Sequence, residues 1–176
     1  MIQKLKYFTI LMSLLLSFAC QKNSMSSDIF PKDSTILKDF EINYEQTECK
    51  GNCWVYNLKI EADGSIKYEG IANVEKLGKF EDKLGEQQIR QLIDEFKKAE
   101  YFDLEDNYVK DNCPIVVTDS PTVITSLKIN GKTKKITHYL GCLEEERNHI
   151  IFPQKLYNLE VRINLITDSF RWTGTK

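Results

Sequence analysis

The sequence has no apolar run long enough to cross a bilayer, and that lack is the first constraint on what it can be. Its longest run, from Tyr7 to Phe18, holds about a dozen residues, whereas a spanning helix needs about 20. Charge of one sign is not concentrated either, since 24 Lys and Arg stand against 26 Asp and Glu, a formal net charge of −2. A nucleic-acid partner needs clustered cations to displace counterions from phosphates. Only Lys132-Thr133-Lys134-Lys135 hints at such a cluster, and its place just after the turn pair Asn130-Gly131 reads as a solvated strand edge. No nucleic-acid partner is expected. Histidine is scarce, with only His138 and His149, and neither lies in a recognisable motif with a serine or cysteine nucleophile. There is no internal repeat, which excludes a solenoid, and no low-complexity block.

What is present begins at the N-terminus. Lys4 and Lys6 precede the short apolar run, and Ser17-Phe18-Ala19 places small residues before Cys20. This resembles the signal of a bacterial lipoprotein, which implies that residues 1–19 are removed and that Cys20 carries diacylglyceryl and N-acyl groups, palmitate among them. An ordinary secretory signal cut near Ala19 and a retained membrane anchor are the alternatives. Several acyl chains on one residue hold a membrane firmly, because each buried methylene contributes about 0.8 kcal/mol. Gln21 stands where inner-membrane retention signals carry Asp, so the resemblance implies an outer-membrane lipoprotein facing the periplasm. Cleavage removes two lysines and no acidic residue, taking the formal charge from −2 to −4. Residues 20–38 are polar and without a sustained period. They read as the lipidated cysteine and a flexible tether, whose roughly 18 residues span about 25 Å on average. Residues 39–172 read as a single domain.

Within that domain Phe40, Ile42 and Tyr44 alternate with polar neighbours, as do Trp54, Tyr56, Leu58 and Ile60. Asp63-Gly64 is a two-residue hairpin signal, with Ile66 and Tyr68 resuming the alternation beyond it. From Glu86 to Phe102 the period changes, and Ile89, Leu92, Ile93, Phe96 and Ala99 share one helical face. The stretch from Asp103 to Pro121 is polar and reads as irregular. Val123 to Ile129 and Thr133 to Tyr139 flank Asn130-Gly131 as a second hairpin, and Pro153 opens a last helix facing Leu156, Leu159, Ile163 and Ile166 inward. The connections are tight and no βαβ alternation recurs. The expectation is an α+β fold, an antiparallel sheet built from hairpins with two helices packed on one face.

Several stretches then line up as a set: Cys49-Lys50-Gly51-Asn52-Cys53-Trp54-Val55-Tyr56, Asp63-Gly64, Tyr68-Glu69-Gly70, Gly78-Lys79-Phe80, the helix end Ala99-Glu100-Tyr101-Phe102-Asp103-Leu104, Tyr108, and Thr118-Asp119-Ser120-Pro121-Thr122. In order and spacing they resemble a bacterial family known as domain of unknown function 6438, from about Phe40 to Trp172. This chain has Trp54 where the family usually has proline, and extra residues around Cys142 to Pro153. The resemblance implies a domain boundary and a compartment, and no activity.

With Cys20 assigned to lipid, Cys49, Cys53, Cys113 and Cys142 remain, an even number for an oxidising compartment. Cys49 and Cys53 bracket Lys50-Gly51-Asn52 at a strand junction, where neighbouring Cα atoms can approach within about 5.5 Å. Cys113 and Cys142 then pair by elimination. Two other uses of these residues stay open. Cys49 and Cys53 could be a thiol–disulfide redox pair, although three intervening residues between strands differ from the two at a helix start that lower a thiol pKa. The four cysteines could instead hold zinc, with His138.

Asp106, Asp111 and Asp119 lie along one loop and suggest hard oxygen ligands, but their spacing is not that of an EF-hand. Asp119 before Ser120-Pro121 suits a turn. Trp54, Tyr56, Tyr68, Tyr101, Phe102, Tyr108 and Tyr139 could line a groove or fill the core, and the unpaired sheet face is the place to look for a groove. No cofactor and no metal site is expected. The functional expectation is a membrane-anchored, non-catalytic binding or interaction module, with Lys50, Trp54 and Asp119 as candidate contacts and an envelope protein as a possible partner. A protein inhibitor or envelope assembly subunit, using the loop from Glu48 to Trp54, is a further alternative.

Overall fold

The computed structural model describes residues 29–30, 39–146 and 149–174. Cys20, the signal segment 1–19 and most of the expected tether lie outside the described residues. Among those described, no helix is long and apolar enough to cross a membrane.

The alternating stretches form β1 (Glu41–Gln46), β2 (Val55–Glu61) and β3 (Ser65–Ala72), each with every second side chain buried. The turn between β2 and β3 depends on Gly64, whose φ of +86° suits glycine and whose Cβ, if present, would meet the Leu84 carbonyl oxygen at 2.5 Å. Asp63 Oδ1 closes the same turn by accepting from the Ser65 N–H at 2.9 Å. The second hairpin joins β7 (Thr122–Ile129) to β8 (Lys132–Tyr139). Its turn residues Asn130 and Gly131 have φ of +50° and +72°, and the Asp39 carboxylate accepts from both their N–H groups.

The two hairpin systems merge because β1 pairs antiparallel with both β2 and β7. With β4 (Gly78–Lys83) and β5 (Asn107–Tyr108) added, the result is a seven-stranded sheet in the order β4-β3-β2-β1-β7-β8-β5. These two members were not expected. β4 is a charged edge strand in which only Phe80 is half-buried, so it has no hydrophobic alternation to reveal it. β5 runs parallel to β8, the one non-antiparallel pairing among the described residues. The stretch expected to be irregular also supplies β6 (Ile115–Val116), which pairs with β9 (Cys142–Leu143) as a separate two-stranded sheet.

Helices α1 (Glu86–Lys98) and α2 (Gln154–Ile166) cover one face of the large sheet. Gln88 Oε1 accepts from the Gly85 N–H at 2.9 Å and satisfies a free donor at the start of α1, while Lys97 and Lys98 sit in its last turn, where the helix dipole favours cations. Helix α1 buries Ile89, Leu92, Ile93 and Phe96, and α2 buries Leu156, Leu159, Ile163 and Ile166, the expected faces in both cases. A short third helix, α3 (Phe170–Thr173), stacks Trp172 on Tyr68 with ring centroids 4.9 Å apart. The expected aromatics are accordingly core residues for the most part: Tyr56, Tyr68, Tyr101, Tyr108 and Tyr139 are all buried.

Residues 29 and 30, inside the segment expected to be a tether, belong to the folded unit. Ile29 and Phe30 are buried. Phe30 meets Phe102 edge-on at 5.9 Å, the Lys97 ammonium lies 5.6 Å over its ring, and Asn130 Nδ2 donates to the Ile29 carbonyl at 2.8 Å. An isolated apolar pair has no periodicity, which is why the sequence pattern did not separate it from its polar surroundings.

Candidate functional site

The face of the sheet opposite the helices carries the outward residues of the same alternation, and these form a cleft of about 640 Å³. Pairing registers arrange its side chains in two rows across the strands. Glu45 of β1 lies opposite Asn57 of β2, which lies opposite Glu69 of β3 and then Lys79 of β4. Two residues further along, Lys135 of β8 lies opposite Ser126 of β7, then Asn43, Lys59, Lys67 and Glu81. The rows are about 7 Å apart, the rise of two strand residues.

Most of these groups are already engaged. Lys59 bridges Glu41 at 2.9 Å and Glu61 at 3.0 Å, Lys67 meets Glu61 at 2.8 Å, and Lys79 reaches Glu69 at 3.9 Å. The ammonium of Lys67, then that of Lys59, hold the Glu61 carboxyl down at about 2. Asn43 Nδ2 donates to Glu41 at 2.8 Å and to Ser126 Oγ at 3.3 Å. Asn57 Oδ1, by contrast, is buried without a hydrogen-bond partner.

The expected site residues lie elsewhere. Cys49–Cys53 is a disulfide with Cα atoms 5.7 Å apart, and Cys113–Cys142 is a second with Cα atoms 5.2 Å apart. With all four sulfurs in S–S bonds, none is a thiolate for zinc, and Cys49 lies between β1 and β2, not at a helix start that would favour a thiolate. Lys50 projects from the disulfide-held loop, exposed with Gly51 and Asn52. Trp54 does not project with it, because its ring packs edge-on against Phe170 at 6.0 Å. Asp119 is exposed at a φ of +67°, in the turn where Tyr139 Oη accepts from the Ser120 N–H at 3.3 Å and donates to the Val117 carbonyl at 2.8 Å. Lys50 is thus exposed on its loop, Trp54 packs against Phe170 and Asp119 stands in a turn; that loop and that turn meet at one end of the sheet, where the Thr47 N–H donates to the Thr122 carbonyl at 2.9 Å. Among the described residues no group of His, Cys, Asp and Glu is arranged to hold a metal ion.

His138 is fully buried between β8 and α2. Its Nε2 donates to the Phe152 carbonyl at 3.0 Å, which leaves Nδ1 facing Glu160 Oε2 at 2.8 Å with one proton between them. Burial holds the Glu160 carboxyl above the usual carboxylate range, and His138 opposes the shift. Further along α2, Asn164 Oδ1 accepts from Tyr56 Oη and from Ser169 Oγ, each at 2.6 Å, and Asn164 Nδ2 donates to the Glu160 carbonyl at 2.9 Å. Desolvation raises the phenols of Tyr44, Tyr56 and Tyr101 around this string. Charge and hydrogen bonding thus run through the core, but the groups are closed off from the cleft by the sheet. Sequence reasoning missed Glu160 and Asn164. The available signal was their position on the inward stripe of α2, where two polar residues four apart interrupt Leu156, Leu159, Ile163 and Ile166.

The fold defines the chain as an α+β domain, a seven-stranded, mostly antiparallel sheet with helices on one face and a second small sheet beside it, stapled by two disulfides. Residues 40–164 match the family described as Domain of unknown function (DUF6438), and the chain belongs to that family. No curated protein matches the chain.

Proposed function

We propose that this protein is a lipid-anchored, non-catalytic binding module of the cell envelope that takes its ligand on the open face of the sheet. One observation carries the reading: a cleft of about 640 Å³ lined mainly by polar and charged side chains, on a face that no element among the described residues covers. The acid–base groups of the core, His138 and Glu160, open onto no cleft, which favours binding over catalysis. Two disulfides are compatible with an oxidising compartment, and the segment ending at Cys20 supports acylation and the outer membrane as the address. The exposed tip at Lys50 favours the inhibitor or assembly reading as the runner-up.

The test places a photo-crosslinking residue at Lys67 or Ser126 in the cleft, at Lys50 on the loop, and at Glu86 on the helical side, in the full chain in cells. Adducts from the cleft positions alone are expected. Adducts from Lys50 alone would move the site to the loop, and none from the cleft would remove the reading. Mass spectrometry of the mature protein checks the acyl groups on Cys20.

A further inference from the structure

From the charges left over in the cleft we infer that its ligand is a short peptide with free termini, two or three residues long; this rests on the cleft being the binding site. Of the charged side chains that line it, Lys135, Glu45 and Glu81 have no ion pair among the described residues. Glu81 stands at the far edge on β4, opposite Lys67. Lys135 and Glu45 flank β7 on the two neighbouring strands and lie in adjacent rows. Two strand spacings and two residue rises separate their Cα atoms by about 12 Å.

Each lone charge has a complementary neutral neighbour directly across the ladder. Beside Lys135, Ser126 Oγ accepts from Asn43 and keeps its own hydroxyl proton free to donate. Beside Glu45, the half-buried Asn57 lines the cleft and has an Oδ1 that no protein group engages, so a turn of its side-chain amide presents this acceptor to the ligand. The first pair is a donor set for a carboxylate, and the second is an acceptor set for an ammonium, which carries three N–H donors. Between them the half-buried Ile124 provides an apolar floor. An extended dipeptide or tripeptide spans about 7 to 10 Å, which the two long side chains can bridge by leaning inward. A longer peptide with free termini overshoots the two charges, and a single amino acid cannot reach both.

The peptide Ala-Leu-Ala, its N-acetyl form and its C-amide form are the probes, titrated calorimetrically against the full chain in detergent. The free peptide should bind, and blocking either end should weaken binding about fivefold or more, the discrimination expected of charge-assisted contacts. The substitutions identify the ends, and both fall on exposed side chains. In Lys135→Gln the C-amide should bind as well as the free peptide, and in Glu45→Gln the N-acetyl form should. Equal binding of all three probes to the wild type, or losses that do not follow these two side chains, would overturn the inference. If no probe binds while cleft crosslinks persist, the peptide assignment is wrong and the cleft reading stands. If no probe binds and the cleft gives no crosslink, both fall.

Discussion

Replacing Phe30 by alanine should loosen the docked segment that precedes the domain, and the size of the effect has a ceiling. Burying Ile29 and Phe30, at 6% and 4% exposure, contributes about 3–6 kcal/mol in transfer free energy at 1.5–3 per side chain. Fixing two backbone residues costs about 2–4 kcal/mol. The net contribution of docking is therefore about 1–2 kcal/mol, with the edge-on contact to Phe102 and the Lys97 cation setting where in that range it falls. Loss of the Phe30 ring removes more than this net value, so the segment lets go of the domain. Once it has let go, nothing further can be lost there. Phe30→Ala should cost about 1–2 kcal/mol, and Ile29→Ala added to it almost nothing, a marked non-additivity. Urea unfolding of the two single variants and the double variant measures this as a midpoint shift of about 0.5–1 M. An unchanged midpoint for Phe30→Ala would mean that the pair is not docked. A loss of 4 kcal/mol or more that adds fully to Ile29→Ala would mean that it is ordinary core, and either result refutes the ledger.

Removing the Cys113–Cys142 bridge by a double serine substitution should cost about 3–4 kcal/mol in the chain-entropy model, against about 2 kcal/mol for Cys49–Cys53, because the closed loops differ in sequence separation, 29 against 4; denaturant titration of each double variant gives the order. Gly141→Ala should destabilise strongly and loosen the turn holding Asp119, since its Cβ would lie 2.1 Å from the Val117 carbonyl oxygen and 2.6 Å from the Tyr139 ring, and thermal unfolding reads the loss. The raised carboxyl of Glu160 contributes stability that is fully present below its unfolded value of about 4.5 and is lost as pH rises through the higher folded value. Glu160→Gln should remove that part of the pH dependence, because the amide does not titrate; unfolding curves of wild type and variant from pH 4 to 8 should show the slope in the first and not in the second. For Glu41 and Glu61 on the open face, Asp63 in the β2–β3 turn and Asp82 on the helical side the signs run the other way, because all four are lowered. Their contribution is present above the ordinary carboxylate range and disappears as pH falls towards 2, which acid titration of circular dichroism follows.

The sequence by itself determined the features that a local hydrophobic period or a turn pair marks. Alternation marked β1, β2, β3, β7 and β8, the pairs Asp63-Gly64 and Asn130-Gly131 marked their turns, and the stripes of α1 and α2 named the residues that reach the core. A local period records which face of an element is apolar, and so it also records which face is left for solvent. Only the tertiary structure decided that β1 pairs with β7, and that pairing is what brings Lys135 and Ser126 beside Asn43, and Glu45 beside Ile124. It also decided that His138 meets Glu160 and that Phe30 meets Phe102, contacts between residues 22 and 72 positions apart in the chain. Such contacts have no signature in a short window, because they are selected by the packing of whole elements. The alternation placed each cleft residue on the outward face, but the register between distant strands made them neighbours.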